Sequence, residues 1–143
     1  MKKRFFKQTY RACFDCLSDV SQLIHQAANA AGLDEQSLYQ AETAVDEACA
    51  NIIEHAYGGE NRGDITIECT AEIGELTIKI MDHGKAFNPN EVSYPKLDLA
   101  LKERPDRGLG IFFMRRWMDS VRFEFTENQG NTLTMIKKAG GTS

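Results

Sequence analysis

No run of eighteen or more apolar residues occurs in this sequence, so nothing in it reads as a membrane span. The start, Met1-Lys2-Lys3-Arg4-Phe5-Phe6, is basic, but Gln8, Arg11 and Asp15 interrupt the apolar region that a secretory signal needs. A cytoplasmic location is therefore expected, with no membrane partner. Basic charge is also scarce: 17 Lys and Arg stand against 21 Asp and Glu, a formal net charge of -4. The basic clusters Lys2-Lys3-Arg4 and Arg115-Arg116 are too short for a nucleic-acid-binding stripe, so direct nucleic-acid binding is not expected. Repeats, low-complexity stretches and internal linkers are absent. With 143 residues, 42% of them hydrophobic, the chain suits one domain over residues 1–143, with a disordered tail from about residue 139.

Metal-ligand spacing is incomplete as well. The cysteines are Cys13, Cys16, Cys49 and Cys69, and Cys13-Phe14-Asp15-Cys16 has C-x-x-C spacing. A zinc site needs a second ligand pair at suitable spacing, and none is present. The residues between the two cysteines are not the small or proline residues usual in a thioredoxin-like site. All four are read as reduced cysteines, the pair lying in or near a first helix. A thiol-redox or metal protein built on Cys13 and Cys16 is a competing reading.

Periodicity supplies the organisation. Residues 5–11 suit a short first strand. From Leu17 to Ala31, apolar residues recur at helical steps until Gly32 ends the helix. Asp34 is placed to cap a second helix, whose apolar stripe is Leu38, Ala41, Val45, Ala48, Ile52 and Ala56, and which should stop at Gly58-Gly59. Two strands follow with period-two alternation, Ile65-Ile67-Cys69 and Leu76-Ile78-Ile80, joined by a turn at Glu72-Ile73-Gly74-Glu75. Residues 82 to 107 break the pattern and carry Pro89, Pro95 and Pro105; a long irregular stretch of this kind is usually functional. A third helix is expected over Gly110–Met118. Two more strands follow, marked by Val121, Phe123 and Phe125 and by Leu133 and Met135, with a turn at Asn128-Gln129-Gly130. The economical packing is α+β: a two-layer sandwich, a mostly antiparallel sheet covered on one face by helices.

Three clusters carry chemistry. Glu47 and Asn51 lie four apart on the second helix and share one face, roughly 120° from the apolar stripe, so both should flank the core. A carboxylate there can orient a hydroxyl, and an amide oxygen suits a hard cation such as Mg²⁺ that also takes phosphate ligands. Two polar residues on an amphipathic helix are equally a plain surface feature. Asp82 closes an apolar strand, with Gly84 two residues on. It can close a turn, or it can accept from an adenine amino group while Gly84 lets the base approach the backbone. Gly108-Leu109-Gly110 opens a helix, where free N–H groups suit phosphates. It lacks the third glycine of a dinucleotide fingerprint and the Gly-Lys-Ser/Thr of a Walker loop.

In combination, E-x-x-x-N on a helix, D-x-G-x-x-F after a strand and R-G-L-G opening a helix resemble the GHKL ATPase superfamily over about residues 40–138. Ala44-Val45-Asp46-Glu47-Ala48, Glu54-His55-Ala56-Tyr57 and Gly108-Leu109-Gly110-Ile111-Phe112-Phe113-Met114 most resemble the serine/threonine kinases that double as anti-sigma factors. The resemblance implies ATP and Mg²⁺ held between helices and a lid. Asn51 would ligate the metal, and Asp82, Gly84 and Phe87 would serve the adenine. Arg107, Gly108, Leu109 and Gly110 would wrap the phosphates. Thr132 falls near the place where the family often carries Gly-Thr beside the adenine, although here Asn131 directly follows Gly130. Glu47 would be the general base for a serine or threonine hydroxyl. No helical dimerisation segment precedes this region, which disfavours a histidine kinase. The implied partners are a small anti-anti-sigma antagonist and a sigma factor, the latter often bound by a homodimer. A non-catalytic ATP/ADP-gated binding module of the same fold is the alternative.

Overall fold

The computed structural model describes residues 3–86, 114–126 and 130–139. Strand β1 spans Arg4–Arg11, and after a single 3₁₀ turn at Phe14–Cys16 the chain enters helix α1, Leu17–Ala31. Helix α2, Glu35–Asn51, follows almost at once. Asp34 caps it as its side chain accepts from the Ser37 N–H at 3.1 Å. These bonds to Ser37 hold the Asp34 carboxyl below its ordinary value. Strands β2, Asp64–Glu72, and β3, Glu75–Asp82, form the hairpin expected from their alternation; β4, Ser120–Thr126, and β5, Gly130–Lys138, form a second.

The described strands make one sheet in the order β1-β2-β3-β5-β4, with every neighbouring pair antiparallel. Alternation is clean on β2, β3 and β5. Ile65, Ile67, Cys69, Leu76, Ile78, Ile80, Leu133 and Met135 face the helices and are buried. They meet Val20, Ile24, Ala27 and Ala28 of α1 and Ala41, Val45 and Ala48 of α2 in one core. Small residues on both helices let them lie close to the sheet.

One expectation is refined and one corrected. The second helix stops just before Gly58-Gly59 as expected, but its last turn, Ile52–Ala56, is a π-turn that follows the α-helix ending at Asn51. A π-turn inserts an extra residue per turn and re-aims the side chains beside it. Cys13 and Cys16 are not separate reduced cysteines. They form a disulfide across the 3₁₀ turn, with Cα atoms 5.3 Å apart, because that turn folds the C-x-x-C segment back on itself. Cys49 and Cys69 are free and buried, as inert core residues are. Burial pushes the Cys69 thiol up to about 12. Burial also raises the Cys49 thiol, aided by the Asp46 and Asp82 carboxylates. Of the tail expected to be disordered from about residue 139, Ala139 is described, its N–H donating to the Gly74 carbonyl at 2.8 Å, and residues 140–143 lie outside the described residues.

Candidate functional site

The register of the sheet assembles the site. Asp82 of β3 lies opposite Asn131 of β5, and Asn131 lies opposite Phe125 of β4. One rung further in on the same face are Ile80, Leu133 and Phe123. The Phe123 and Phe125 rings stack near-parallel, with centroids 6.2 Å apart. Above this floor, Ala48, Asn51 and Ile52 of α2 and its π-turn close a cavity that Met114 also borders. The result is a largely apolar slot with a carboxylate and two amides on its walls, the composition of a small-molecule site.

Asp82 is 4% exposed. Burial pushes its carboxyl above the ordinary aspartate value. The Asn131 amide, the Gly84 N–H and the neighbouring His83 counter that push. Asn131 Nδ2 and the Gly84 N–H both donate to Asp82 Oδ1, each at 2.8 Å. The same Asn131 amide reaches the Gly84 carbonyl at 3.2 Å.

Gly84 is required for a reason the sequence did not supply. A Cβ there would stand 2.6 Å from the Ala56 carbonyl carbon and oxygen, so the bare Cα packs directly on the end of the π-turn. The Lys85 N–H donates to the Ala56 carbonyl at 2.7 Å and completes the strap. Tyr57 adds a second tie: its hydroxyl donates to the Asp64 carbonyl at 2.7 Å and accepts from the His83 N–H at 2.9 Å. Gly130 closes the other side at φ +89°, where a Cβ would come 2.4 Å from the Asp82 carbonyl oxygen.

The helix residues sit differently from expectation. Asn51 does not flank the core; it is 3% exposed and borders the slot, since the sheet extends beneath that flank of α2. Glu47, one turn earlier, is half-buried and does not border the slot among the described residues. Thr132 borders the cavity, but the pleat turns its side chain to the opposite face from Asn131 and Asp82, which sit across from each other. Asn131 therefore holds the inward position, and Thr132, which the resemblance set near the adenine, borders the cavity from the next position along β5. Period-two alternation puts Asn131 on the same face as Leu133 and Met135; the strand register adds that it lies opposite Asp82. Phe87, Arg107, Gly108, Leu109 and Gly110 lie outside the described residues.

A buried acceptor and a buried amide border one apolar slot, under helices on an antiparallel sheet. The chain belongs to the histidine kinase-like ATPase domain family, which matches residues 14–137. Among its relatives, an anti-sigma F factor of Caldanaerobacter subterraneus subsp. tengcongensis is 35% identical over 117 residues, covering 80% of each chain. A serine-protein kinase RsbW of Bacillus mycoides is 30% identical over 114 residues, covering 77% of this chain and 69% of that one. A crystal structure of the RsbU and RsbW domains of Rv1364c from Mycobacterium tuberculosis aligns with a TM-score of 0.63 over 98% of this chain and 35% of that chain; at 16% identity it is a likeness of fold. Membership of this family implies that the chain uses ATP.

Proposed function

We propose that this protein is an ATP-dependent serine/threonine protein kinase that acts as an anti-sigma factor and phosphorylates a small anti-anti-sigma antagonist in a partner-switching module. The observation that carries the reading is the slot itself. Asp82 and Asn51, in the order and on the elements that the family uses, border one buried cavity in a chain whose relatives are named both anti-sigma factor and serine-protein kinase.

The adenine enters the slot against Phe123, Leu133 and Ala48, and its amino group donates to Asp82. Gly84 serves the base by holding the Asp82 turn against Ala56, and Phe87 is proposed to serve the adenine with it. The Asn51 amide oxygen fits Mg²⁺, which takes oxygen ligands and needs few from the protein when phosphates supply the rest. Bound there, the ion would supply neutralisation of phosphate charge. Arg107, Gly108, Leu109 and Gly110 wrap the phosphates. Glu47 receives the proton of the acceptor hydroxyl and orients it, since phosphoryl transfer depends mostly on positioning and charge neutralisation. The chain works as one domain in the cytoplasm. As a homodimer, it sequesters a sigma factor when the antagonist is phosphorylated.

Labelled ATP with candidate antagonists tests this reading. Wild type should phosphorylate the antagonist on serine or threonine. Glu47→Gln should bind ATP normally and lose about a hundredfold or more in transfer rate, the usual scale of general-base loss. A Glu47→Gln protein as active as wild type removes Glu47 from the chemistry. ATP binding by wild type without transfer to any antagonist points instead to a non-catalytic, nucleotide-gated binding module.

A further inference from the structure

Asn131, which directly follows Gly130, is bonded to the carboxylate of the slot. Asn131 is 8% exposed and spends both amide hydrogens inside the protein, one on Asp82 Oδ1 and one on the Gly84 carbonyl. The Gly84 N–H also lands on Oδ1. Among the described residues, the hydrogen bonds made to this carboxylate therefore converge on one oxygen, and Oδ2 is left to meet a ligand. A carboxylate can turn about its final torsion at little cost, because that torsion has broad minima. Two donors on the same oxygen remove that freedom.

We propose that Asn131 is a positioning and specificity residue for the nucleotide base: by engaging Asp82 Oδ1 and tying it to the Gly84 carbonyl, it fixes Oδ2 as a single acceptor aimed at an exocyclic amino group. The inference rests on the reading of Asp82 as the base acceptor. It goes beyond that reading, because it assigns base discrimination to a neutral amide on another strand. Asn131 touches the base only through Asp82. A base with a 6-amino group satisfies Oδ2. A purine without that group leaves a buried carboxylate oxygen dry, and a 6-oxo purine sets acceptor against acceptor.

The test is a ligand series on the full chain by calorimetry: ATP, purine riboside triphosphate, which lacks the 6-amino group, and GTP. The series is run with wild type, Asn131→Ala and Asn131→Ser. Wild type should prefer ATP to purine riboside triphosphate by about tenfold or more, the scale of one charge-assisted hydrogen bond. In Asn131→Ala that preference should collapse toward unity, mostly through weaker ATP binding, while purine riboside triphosphate changes little. Asn131→Ser, which keeps one donor for Oδ1, should recover part of the preference. A purely structural role would weaken all three nucleotides alike and leave their ratio as in wild type. That outcome, in protein whose thermal melt remains cooperative, overturns the proposal. If wild type itself fails to distinguish ATP from purine riboside triphosphate, the assignment of Asp82 is wrong and the proposal falls with it. If wild type discriminates and Asn131→Ala discriminates equally, only the proposal for Asn131 fails.

Discussion

The two ends of β5 each bury a polar side chain on the helix-covered face, and they use it in opposite ways. At one end, the Lys137 ammonium donates to Gln40 Oε1 of α2 and to the Trp117 carbonyl, each at 2.6 Å, and is 8% exposed. Its acceptors belong to the protein, so it ties the helical residues 114–117 to α2 and β5. The tilted contact of Tyr39 with Trp117, centroids 6.1 Å apart, reinforces the tie. At the other end, Asn131 satisfies itself while leaving Asp82 with acceptor capacity toward the slot. A buried polar group whose partners are all internal is a structural fastener. A carboxylate that keeps an oxygen open beside a slot can accept from water or from a ligand that enters it.

The sharpest way to break this contrast is Asp82→Asn. The amide oxygen can still accept from Gly84 and Asn131, but the amide nitrogen then faces the slot, donor against the adenine amino donor. ATP affinity should fall about a hundredfold or more, measured by calorimetry. Folding stability should move the other way. The folded Asp82 holds its proton to higher pH than the unfolded chain does. Stability from this group is therefore lost as pH rises from the ordinary aspartate value through the raised one. At neutral pH the variant should be at least as stable as wild type, and the gain should vanish below the ordinary aspartate range, read from melts across pH. A wild-type affinity in Asp82→Asn would erase the distinction between the two ends.

Lys137→Met should leave two buried acceptors unanswered and cost about 3 kcal/mol in denaturant unfolding. Gly84→Ala should cost about 2 kcal/mol, because its Cβ meets backbone that cannot rotate away, and it should weaken ATP as the Asp82 turn shifts. The smallest effect is expected at the Cys13–Cys16 turn. Joint replacement by serine should cost about 1 to 2 kcal/mol, since the closed loop is short, and should leave ATP affinity unchanged. A marked loss of nucleotide binding there would revive the thiol or metal reading.

Much of this was legible in the chain. Helix α1 ends where Gly32 predicts, and Asp34 caps α2 as its side chain suggests, because both signals act within a few residues. The strand alternation of Ile65 to Ile80 fixes which face is buried, since a period of two allows one answer. Asp82 and Asn51 could be singled out by motif alone. The meeting of Asn131 with Asp82 could not, nor the need for Gly84 beneath Ala56, because both depend on elements distant in sequence.

By itself, then, the sequence determined the local elements, the buried faces and the residue types available for nucleotide chemistry, since capping, periodicity and side-chain chemistry are properties of neighbours along the chain. The tertiary structure alone decided that Asn131 lies opposite Asp82, that Asn51 is buried, and that Gly84 packs beneath Ala56. Each of these is set by register or close approach between separate elements, which are distances in space that spacing along a chain does not encode.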